Sequence, residues 1–426
     1  MSEQAQSAKP QTRPTLPTLE TFSAFKSRPF TYLWINTVSF ALVQATQRFA
    51  FVWLVIEAVN VGGLGKGSAW SGAVFFALGI PVLFMTIPAG VLADRINRRS
   101  LVLVSQLAAV GVTITAGVVS ISGAMTTTIA LALAGGVGAT IAVGLPVRNA
   151  IVPTVVDRKT LLKAIVMMSM ALNISQIVGP GLGGLAIDLW GIGGAFIAQG
   201  VLLLIGTLAL IPLKVPNTRT AEEHKAPLQE LKEGLGFVWG HRGIRTLILL
   251  LAGTGLFMMG PFGALLPQIA KEELGQGASE AGLLFTFMGA GMMVSSLAIA
   301  SMPKLKNKGG WFIGSLMMAG MILPALGLSP WYALTASAMF IGGMGGGVFM
   351  NLNQVLVQAN TPPEMMGRVV GVHTLAFQGL GPFGGLLAGL MAALMGAPLW
   401  MAISGAILFT FTTTALLTQP SLRKME

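Results

Sequence analysis

The sequence contains no cysteine, only three histidines and few charges for its length. Without cysteine, disulfide scaffolds, thiolate zinc sites, iron–sulfur clusters and cysteine nucleophiles are excluded. The histidines form no HExxH motif, so we predict no metal site, no other cofactor and no catalytic residue. Asp, Glu, Lys and Arg make up 10% of the 426 residues, against about 25% in soluble domains, which excludes a soluble globular protein.

The sequence has long apolar runs that contain few charged residues. Hydrophobic residues amount to 54% of the chain, and runs of spanning length follow one another with short polar interruptions. We therefore expect an all-α membrane protein with twelve transmembrane helices and both termini on one side. The predicted spans are roughly residues 30–56, 69–92, 100–122, 126–147, 161–187, 191–213, 246–268, 280–302, 311–328, 331–353, 369–392 and 396–418.

The basic residues predict how these spans are oriented. All of the 26 Lys and Arg residues except Arg48, Lys66 and Lys271 fall in the tails and connections on the side of the N terminus. Because Lys and Arg are retained in cytoplasmic loops, we predict that both termini are cytoplasmic and that the protein lies in the cytoplasmic membrane. The +11 formal charge then reflects membrane topology, and no nucleic-acid partner is expected.

The longest connection divides the spans six and six. We predict a disordered cytoplasmic tail over 1–24, a six-helix bundle over 25–213, a cytoplasmic linker over 214–245, a second bundle over 246–418 and a cytoplasmic tail over 419–426. Within the linker, apolar residues at helical spacing predict an amphipathic helix at the membrane interface. These residues are Leu228, Leu231, Leu235, Val238 and Trp239.

The two halves share features at a nearly constant offset, which indicates an internal duplication. Gln176 precedes Gly179 and Pro180 in span 5, and Gln378 precedes a Gly-Pro pair at the same spacing in span 11. Weaker matches of Phe and Gly relate span 2 to span 8 and span 4 to span 10. We therefore predict two pseudo-symmetric bundles.

The connection between spans 2 and 3, residues 90–99, reads Gly-Val-Leu-Ala-Asp-Arg-Ile-Asn-Arg-Arg. In letters and position it resembles the signature loop of the major facilitator superfamily. The resemblance implies the fold of that family and a conformational-switch role for the loop, in which the acid caps a helix or pairs across the bundle interface in one state. The alternative is a basic loop that only sets the topology. The residues of this motif are Gly90, Asp94, Arg95, Arg98 and Arg99.

Span 5 carries a second motif, Gly179 and Pro180 followed by Gly183 and Gly184. It resembles the GPxxGG motif of antiporter subfamilies, with Ser175 in place of the usual leading glycine. Proline removes a helix hydrogen bond and glycine admits a close neighbour, so a kinked and tightly packed helix is predicted. A packing role and a role in sealing the pathway against leaks both remain open.

Residues 47–55, 148–153 and 161–164 are similar to the subgroup that contains the enterobactin exporter and related drug and macrolide exporters. The similarity implies export of a hydrophobic or amphipathic small molecule, such as a drug, siderophore or secondary metabolite, by a monomer that exchanges it for protons. Members of this subgroup often carry an acidic residue in span 1. This chain has Gln44 flanked by apolar residues there instead.

Polar side chains within the spans are the candidates for a substrate cavity. Arg48 carries the most weight, because a charge at membrane depth is costly unless it is paired or faces water. The alternative is that span 1 starts later and Arg48 reaches the interface. Arg148 is either an interface anchor or a cavity gate. The remaining cavity candidates are Gln44, Gln47, Gln176 and Gln378.

No Asp or Glu lies at mid-membrane depth in the predicted spans. An embedded carboxylate is the usual proton carrier in pumps and antiporters. Proton coupling would therefore depend on Asp94, Glu57, Asp188 or His373, of which the histidine is expected to be structural.

The expected function is secondary active transport by alternating access, with a small-molecule substrate bound at mid-membrane between spans 1, 4, 7 and 10. A membrane-embedded lipid-modifying enzyme is an alternative, although the sequence offers no paired membrane carboxylates, His cluster or GxSxG elbow. A transport-inactive sensor or assembly factor on the same fold is a second alternative.

Overall fold

A computed structural model describes residues 24–58, 66–213, 227–302, 305–419 and 422–423, which form helices and short connections. Eleven helices of this described part are long and apolar enough to cross a membrane. One of them, Leu161–Ala209, has 49 residues and would be about 74 Å long if straight, more than twice the ~30 Å hydrocarbon core. It turns back at Gly191, whose φ of 68° suits glycine, so it supplies two spans. The prediction of twelve transmembrane helices is confirmed.

The spans are numbered in chain order. Spans 1 to 4 are Arg28–Ala58, Lys66–Arg95, Arg98–Ile121 and Thr127–Val155. Spans 5 and 6 are residues 161–190 and 192–209. Span 7 consists of Arg242–Thr254, the π-helical turn Gly255–Met259 and Gly260–Glu272. Spans 8 to 10 are Ala278–Ser301, Lys308–Gly327 and Tyr332–Ala359. Span 11 consists of Pro363–Met365, Met366–Thr374, the π-helical turn Leu375–Gly379 and Leu380–Met395, and span 12 is Ala397–Thr418.

The two halves meet along two helix pairs. Span 2 packs against span 11, where Gly79 lies against the ring of Pro382, and span 5 packs against span 8, where Gly184 lies against the backbone of Ala278. A side chain at either glycine would collide with the opposite half, so close approach depends on glycine. The repeat relates span 2 to span 8 and span 5 to span 11, so the two pairs are equivalent. The prediction of two pseudo-symmetric bundles is thereby confirmed.

A helix between the halves, Pro227–Gly240, lies in the predicted linker. Val238 is buried, and Glu233 Oε2 lies 3.0 Å from Arg368 Nη1 at the start of span 11. Trp239, the next residue of this helix, is 60% exposed. Residues 214–226 of the predicted linker and residues 1–23 of the predicted tail lie outside the described residues, and the division into domains stays a prediction.

Candidate substrate-binding site

A cleft separates the two halves on one side of the membrane. The near face is defined as the membrane face at which span 1 begins, and the far face is the opposite one. On one side of span 11, Pro382, Gly385 and Gly389 pack against span 2 in the far half of the membrane. Thr374 and Gln378 continue the same side of the helix toward the near face, and both are exposed. This side of span 11 is therefore packed against span 2 in the far half and exposed in the near half.

One side of span 5 likewise changes from packed in the far half to exposed in the near half. Gly181 and Gly184 pack against span 8 in the far half. Met170, Asn173 and Ile174, which lie on the same side of the helix nearer its start, are exposed. The cleft between the halves is therefore open toward the near face and closed toward the far face.

A cluster of polar side chains joins the ends of spans 1 and 7 at the far face. Glu57 Oε1 accepts a hydrogen bond of 2.7 Å from Trp53 Nε1, and Lys271 Nζ of span 7 lies 3.8 Å from the same oxygen. The ammonium group of Lys271 also lies 5.1 Å from the centre of the Trp53 ring. This cluster bridges the two halves where the cleft is closed.

Asp188 makes a second polar contact between the halves at the far face. Its carboxylate at the end of span 5 accepts hydrogen bonds from the backbone N–H groups of Ala278 and Ser279, at 3.3 and 2.8 Å. These residues begin span 8, and the first N–H groups of a helix lack partners within the helix. Asp188 thus caps a helix of the opposite half, where the helix dipole favours its negative charge.

In the deeper part of span 1, Arg48 is the one residue that is not buried. Every residue from 43 to 56 is buried except Arg48, which is partly exposed. Neighbouring residues are held by other helices of the same half, because Ala45 and Thr46 pack against span 5 and Gln47 Nε2 donates a 2.7 Å hydrogen bond to Thr113 Oγ1 of span 3. Adjacent positions of one helix thus have different surroundings.

The other amide candidates divide into two groups. Gln44 and Gln47 are buried, with 6% and 4% of their surfaces exposed, and Gln47 points into the first bundle. Gln176 and Gln378, the pair related by the repeat, are both exposed on the cleft sides of spans 5 and 11. Their roles in substrate binding stay predictions.

Arg148 is bound inside the first bundle. It is 1% exposed, its Nε donates a 2.9 Å hydrogen bond to Asn36 Oδ1, and its Nη2 donates to Gln106 Oε1. The guanidinium carbon lies 3.8 Å from the centre of the Phe40 ring. Gln106 in turn donates to the carbonyl of Leu203 at 3.4 Å, so the network joins spans 1, 3, 4 and 6. Neither amide partner is among the residues predicted for the site, although polar residues in apolar spans are typical of contacts between helices.

His373 takes part in a polar network between spans of the second half, as Arg148 does in the first half. Its Nε2 lies 2.7 Å from Asn353 Oδ1, and Asn353 Nδ2 donates to the carbonyl of Leu247 at 3.3 Å. The contacts join spans 11, 10 and 7. Within the described residues no group of three or more His, Asp or Glu side chains is placed to hold a metal ion.

The loop between spans 2 and 3 is described only in part. Gly90, Asp94 and Arg95 lie in the last turns of span 2, but their side chains lie outside the described part of the chain. Arg98 Nη1 donates to the carbonyl of Ala150 at 3.0 Å, and Arg99 Nη2 donates to the carbonyl at residue 211 at 2.6 Å. Both bonds stay within the first half, and the switch role of the loop stays a prediction.

The glycines of the span 5 motif face two directions. Gly179 and Gly183 lie against span 1 of the same half, whereas Gly184 lies against span 8 of the other half. The carbonyl of Pro180 also lies against Gly282 of span 8. The motif therefore packs span 5 to both neighbours at once.

Two π-helical turns interrupt spans 7 and 11, and the sequence carries no simple signal for them. Gly255 of the first turn lies against the carbonyl of Phe377 in the second, so the turns adjoin. The residues from 256 to 259 are all partly exposed. Such turns are frequent at functional sites, because they break the regular helix hydrogen bonding.

Comparison with known proteins places this architecture among transporters. Residues 33–386 match the family model of the Major Facilitator Superfamily. The multidrug efflux pump Tap of Mycolicibacterium fortuitum is 28% identical over 393 residues, which cover 88% of this chain and 92% of that protein. The enterobactin exporter EntS of Shigella boydii serotype 18 is 23% identical over 410 residues, which cover 92% of this chain and 96% of the exporter.

Solved structures share the fold at low sequence identity. A bacterial homologue of the human lysosomal transporter Spinster, in an inward-facing and unoccupied conformation, has a TM-score of 0.69 and 17% identity and covers 93% of this chain and 97% of its own. The nucleoside transporter NupG has a TM-score of 0.70 and 14% identity and covers 93% and 99%. At these identities the likeness concerns the fold alone.

Proposed function

The chain belongs to the Major Facilitator Superfamily, and from this premise we propose that it exports a hydrophobic or amphipathic small molecule across the cytoplasmic membrane by alternating access. Membership of this family makes the chain a transporter and excludes the membrane-embedded enzyme considered above. The finer parts of the proposal are the direction of transport, the substrate class and the coupling ion.

The observation that carries the proposal is the one-sided cleft. Spans 5 and 11 each present one side that is packed against the other half at the far face and exposed toward the near face. Two halves whose described residues touch at the far face can rock so that they touch at the near face instead, which is the movement that alternating access requires. Such a movement would carry a bound molecule from one face to the other.

The orientation of the cleft is proposed from the charges, and the direction of transport from the relatives. We assign the near face to the cytoplasm because nearly all Lys and Arg residues lie in the tails and connections on that side. The cleft of this structure then opens to the cytoplasm, where an exporter collects its substrate. The efflux pump and the exporter that resemble this chain support the same direction.

Protons are the proposed coupling ion. Glu57 and Asp188 both hold far-face contacts between the halves, through Lys271 and through the start of span 8. Protonation of either carboxylate would weaken its contact and favour opening at the far face, which links proton entry from that side to the movement. The protein would work as a monomer in the bilayer.

The proposal predicts energy-dependent accumulation in everted membrane vesicles. Vesicles that contain the protein should accumulate members of a panel of fluorescent amphipathic compounds, and vesicles without it should not. A protonophore should stop the accumulation, whereas accumulation that persists would contradict proton coupling. Purified protein that binds the compounds but never moves them in proteoliposomes would instead favour the sensor function.

The orientation predicts which connections an impermeant reagent can reach. Because the chain has no cysteine, single cysteines can be introduced without background labelling. Ser122→Cys lies in the exposed turn between spans 3 and 4 at the far face, and Lys159→Cys lies in the exposed turn between spans 4 and 5 at the near face. In intact cells an impermeant maleimide should label the first variant and not the second. The reverse pattern would invert the proposed orientation.

A further inference from the structure

We propose that a groove on the outer surface of the second half binds an anionic phospholipid of the near-face leaflet. The groove crosses span 9 and reaches spans 10 and 12, and its volume is about 730 Å³. It lies apart from the cleft between the halves. The site therefore goes beyond the proposed export function, and it does not depend on which molecule is transported or in which direction.

The groove lies on a side of span 9 that faces the bilayer. Span 9 packs against spans 10 and 12 of its own half, and Phe312 faces span 10 whereas Gly320 faces span 12. Trp311, Gly314 and Met321 lie on a third side of the helix and are exposed, Trp311 to 54% and Met321 to 66%. An apolar and exposed side of a transmembrane helix is in contact with lipid.

The surface of the groove is apolar and indented. No atom lies within 4 Å of the position that a Cβ of Gly314 would take, so the missing side chain leaves open space at this point of span 9. The hydroxyl groups of Ser295 and Ser315 donate to carbonyl groups of their own helices and offer no free donor to a ligand. The apolar lining includes Trp311, Met317, Met318, Ile341, Met344 and Leu416. Such a surface accommodates an acyl chain, because methionine side chains adapt to irregular shapes.

The length of the groove matches one leaflet of the bilayer. Span 9 begins at the near face, and Asn307 lines the groove at this end. Met318 lines it about 16 Å further along the helix. Half of the ~30 Å hydrocarbon core is about 15 Å, so an acyl chain in the groove would extend from the near face to the middle of the membrane.

Positive charge without an acidic counterpart lies at the near-face end of the groove. Arg423 lines this end, and Lys306 and Lys308 lie where span 9 begins. Among the described residues none of these three has an ion-pair partner. The sequence has no Asp or Glu in residues 281–363 or 365–425. Basic groups at the membrane surface beside an apolar groove suit a phospholipid whose headgroup carries a net negative charge.

Quenching of tryptophan fluorescence by brominated phospholipids tests the site, because Trp311 lines the groove. Purified protein is placed in nanodiscs of zwitterionic lipid with increasing fractions of phosphatidylglycerol or phosphatidylcholine, each brominated near the headgroup end of an acyl chain. The chain has 8 Trp residues, so the signal of Trp311 is the difference between protein with and without Trp311→Phe. Half-quenching of this signal should need an at least about tenfold smaller fraction of the anionic lipid.

Paired charge variants separate this site from general attraction of anionic lipid. Lys308→Gln combined with Arg423→Gln should raise the half-quenching fraction of phosphatidylglycerol to that of phosphatidylcholine and leave the latter unchanged. Arg158→Gln combined with Lys159→Gln removes two charges from an exposed turn at the near face of the first half and should preserve the preference. Loss of the preference in both double variants would assign it to the overall charge of the near face and overturn the site.

A variant that fills the groove tests its shape. Gly314→Leu should abolish the quenching of Trp311 at low fractions of phosphatidylglycerol and leave only the quenching that both lipids share. Gly111→Leu is the matched control, because both glycines have no atom near the missing Cβ, and it should behave as wild type. Equal half-quenching fractions of the two lipids in wild type, or an unchanged preference in Gly314→Leu, would overturn the proposal. None of these measurements involves transport, so failure of the export function would leave the lipid site standing.

Discussion

Replacing Arg148 by alanine is expected to lower the melting temperature of the purified protein sharply and to reduce its abundance in the membrane. The substitution leaves Asn36 Oδ1 and Gln106 Oε1 buried without their donor, at about 1–3 kcal/mol for each orphaned acceptor. It also leaves a cavity beside the Phe40 ring, which adds to the loss. Thermal unfolding in detergent and immunoblots of membranes measure the two effects.

Arg48→Ala is the matched control for this experiment. It removes the same side chain from the same bundle, but Arg48 has no partner among the described residues, so the melting temperature should change little. Arg148→Lys should remain destabilised, because one ammonium group cannot reproduce the planar fork that serves two acceptors. If Arg148→Ala melts with wild type but loses transport, Arg148 acts as the cavity gate and not as an anchor.

The number and orientation of the spans are features that the sequence predicts well. Each span is a long apolar run, and its hydrophobicity depends on composition and not on which helices it contacts. The same holds for the repeat, since Gln176 and Gln378 share one spacing to a Gly-Pro pair and can be matched from the letters alone. The turn at Gly191 divides one continuous helix, and the predicted spans 5 and 6 separate near that residue.

The contacts that polar side chains make with other helices cannot be predicted from the sequence in the same way. Gln47 and Arg48 are neighbours in sequence, yet Gln47 is buried and bound by Thr113, whereas Arg48 is partly exposed. A rotation of about 100° per residue separates them, and which helix lies on each side depends on the packing of the whole bundle. Asp188 shows the same limit, because it caps a helix that begins about 90 residues further along the chain.

A Gly184→Val variant is expected to prevent closure at the far face. A Cβ at this position would collide with the carbonyl group of Ala278 and lie 3.0 Å from Ser279 Cα, and backbone atoms at the start of span 8 cannot move aside without the helix. The clash exists only where the two halves touch. Under alternating access it therefore destabilises the state seen here and favours the state that is open at the far face.

Spin labels report this shift directly. Labels on Ser122→Cys and Leu328→Cys mark the two halves at the far face, and labels on Lys159→Cys and Asn360→Cys mark them at the near face, all at exposed positions. In the Gly184→Val background the far-face distance should lengthen and the near-face distance should shorten. Transport should fall at least about tenfold, because a protein held in one state cannot complete the cycle.

Gly111→Val supplies the control for adding a side chain to a helical glycine in this chain. Gly111 lies in span 3 with no atom near its missing Cβ, so the substitution should change neither the distances nor transport. Both variants should reach the membrane in similar amounts, since loss of Gly184→Val alone from the membrane would mark the contact as a folding requirement. Wild-type distances and transport in Gly184→Val would show that spans 5 and 8 do not close the far face during the cycle. Lengthening at the far face without loss of transport would show that this closure is dispensable and would contradict strict alternating access.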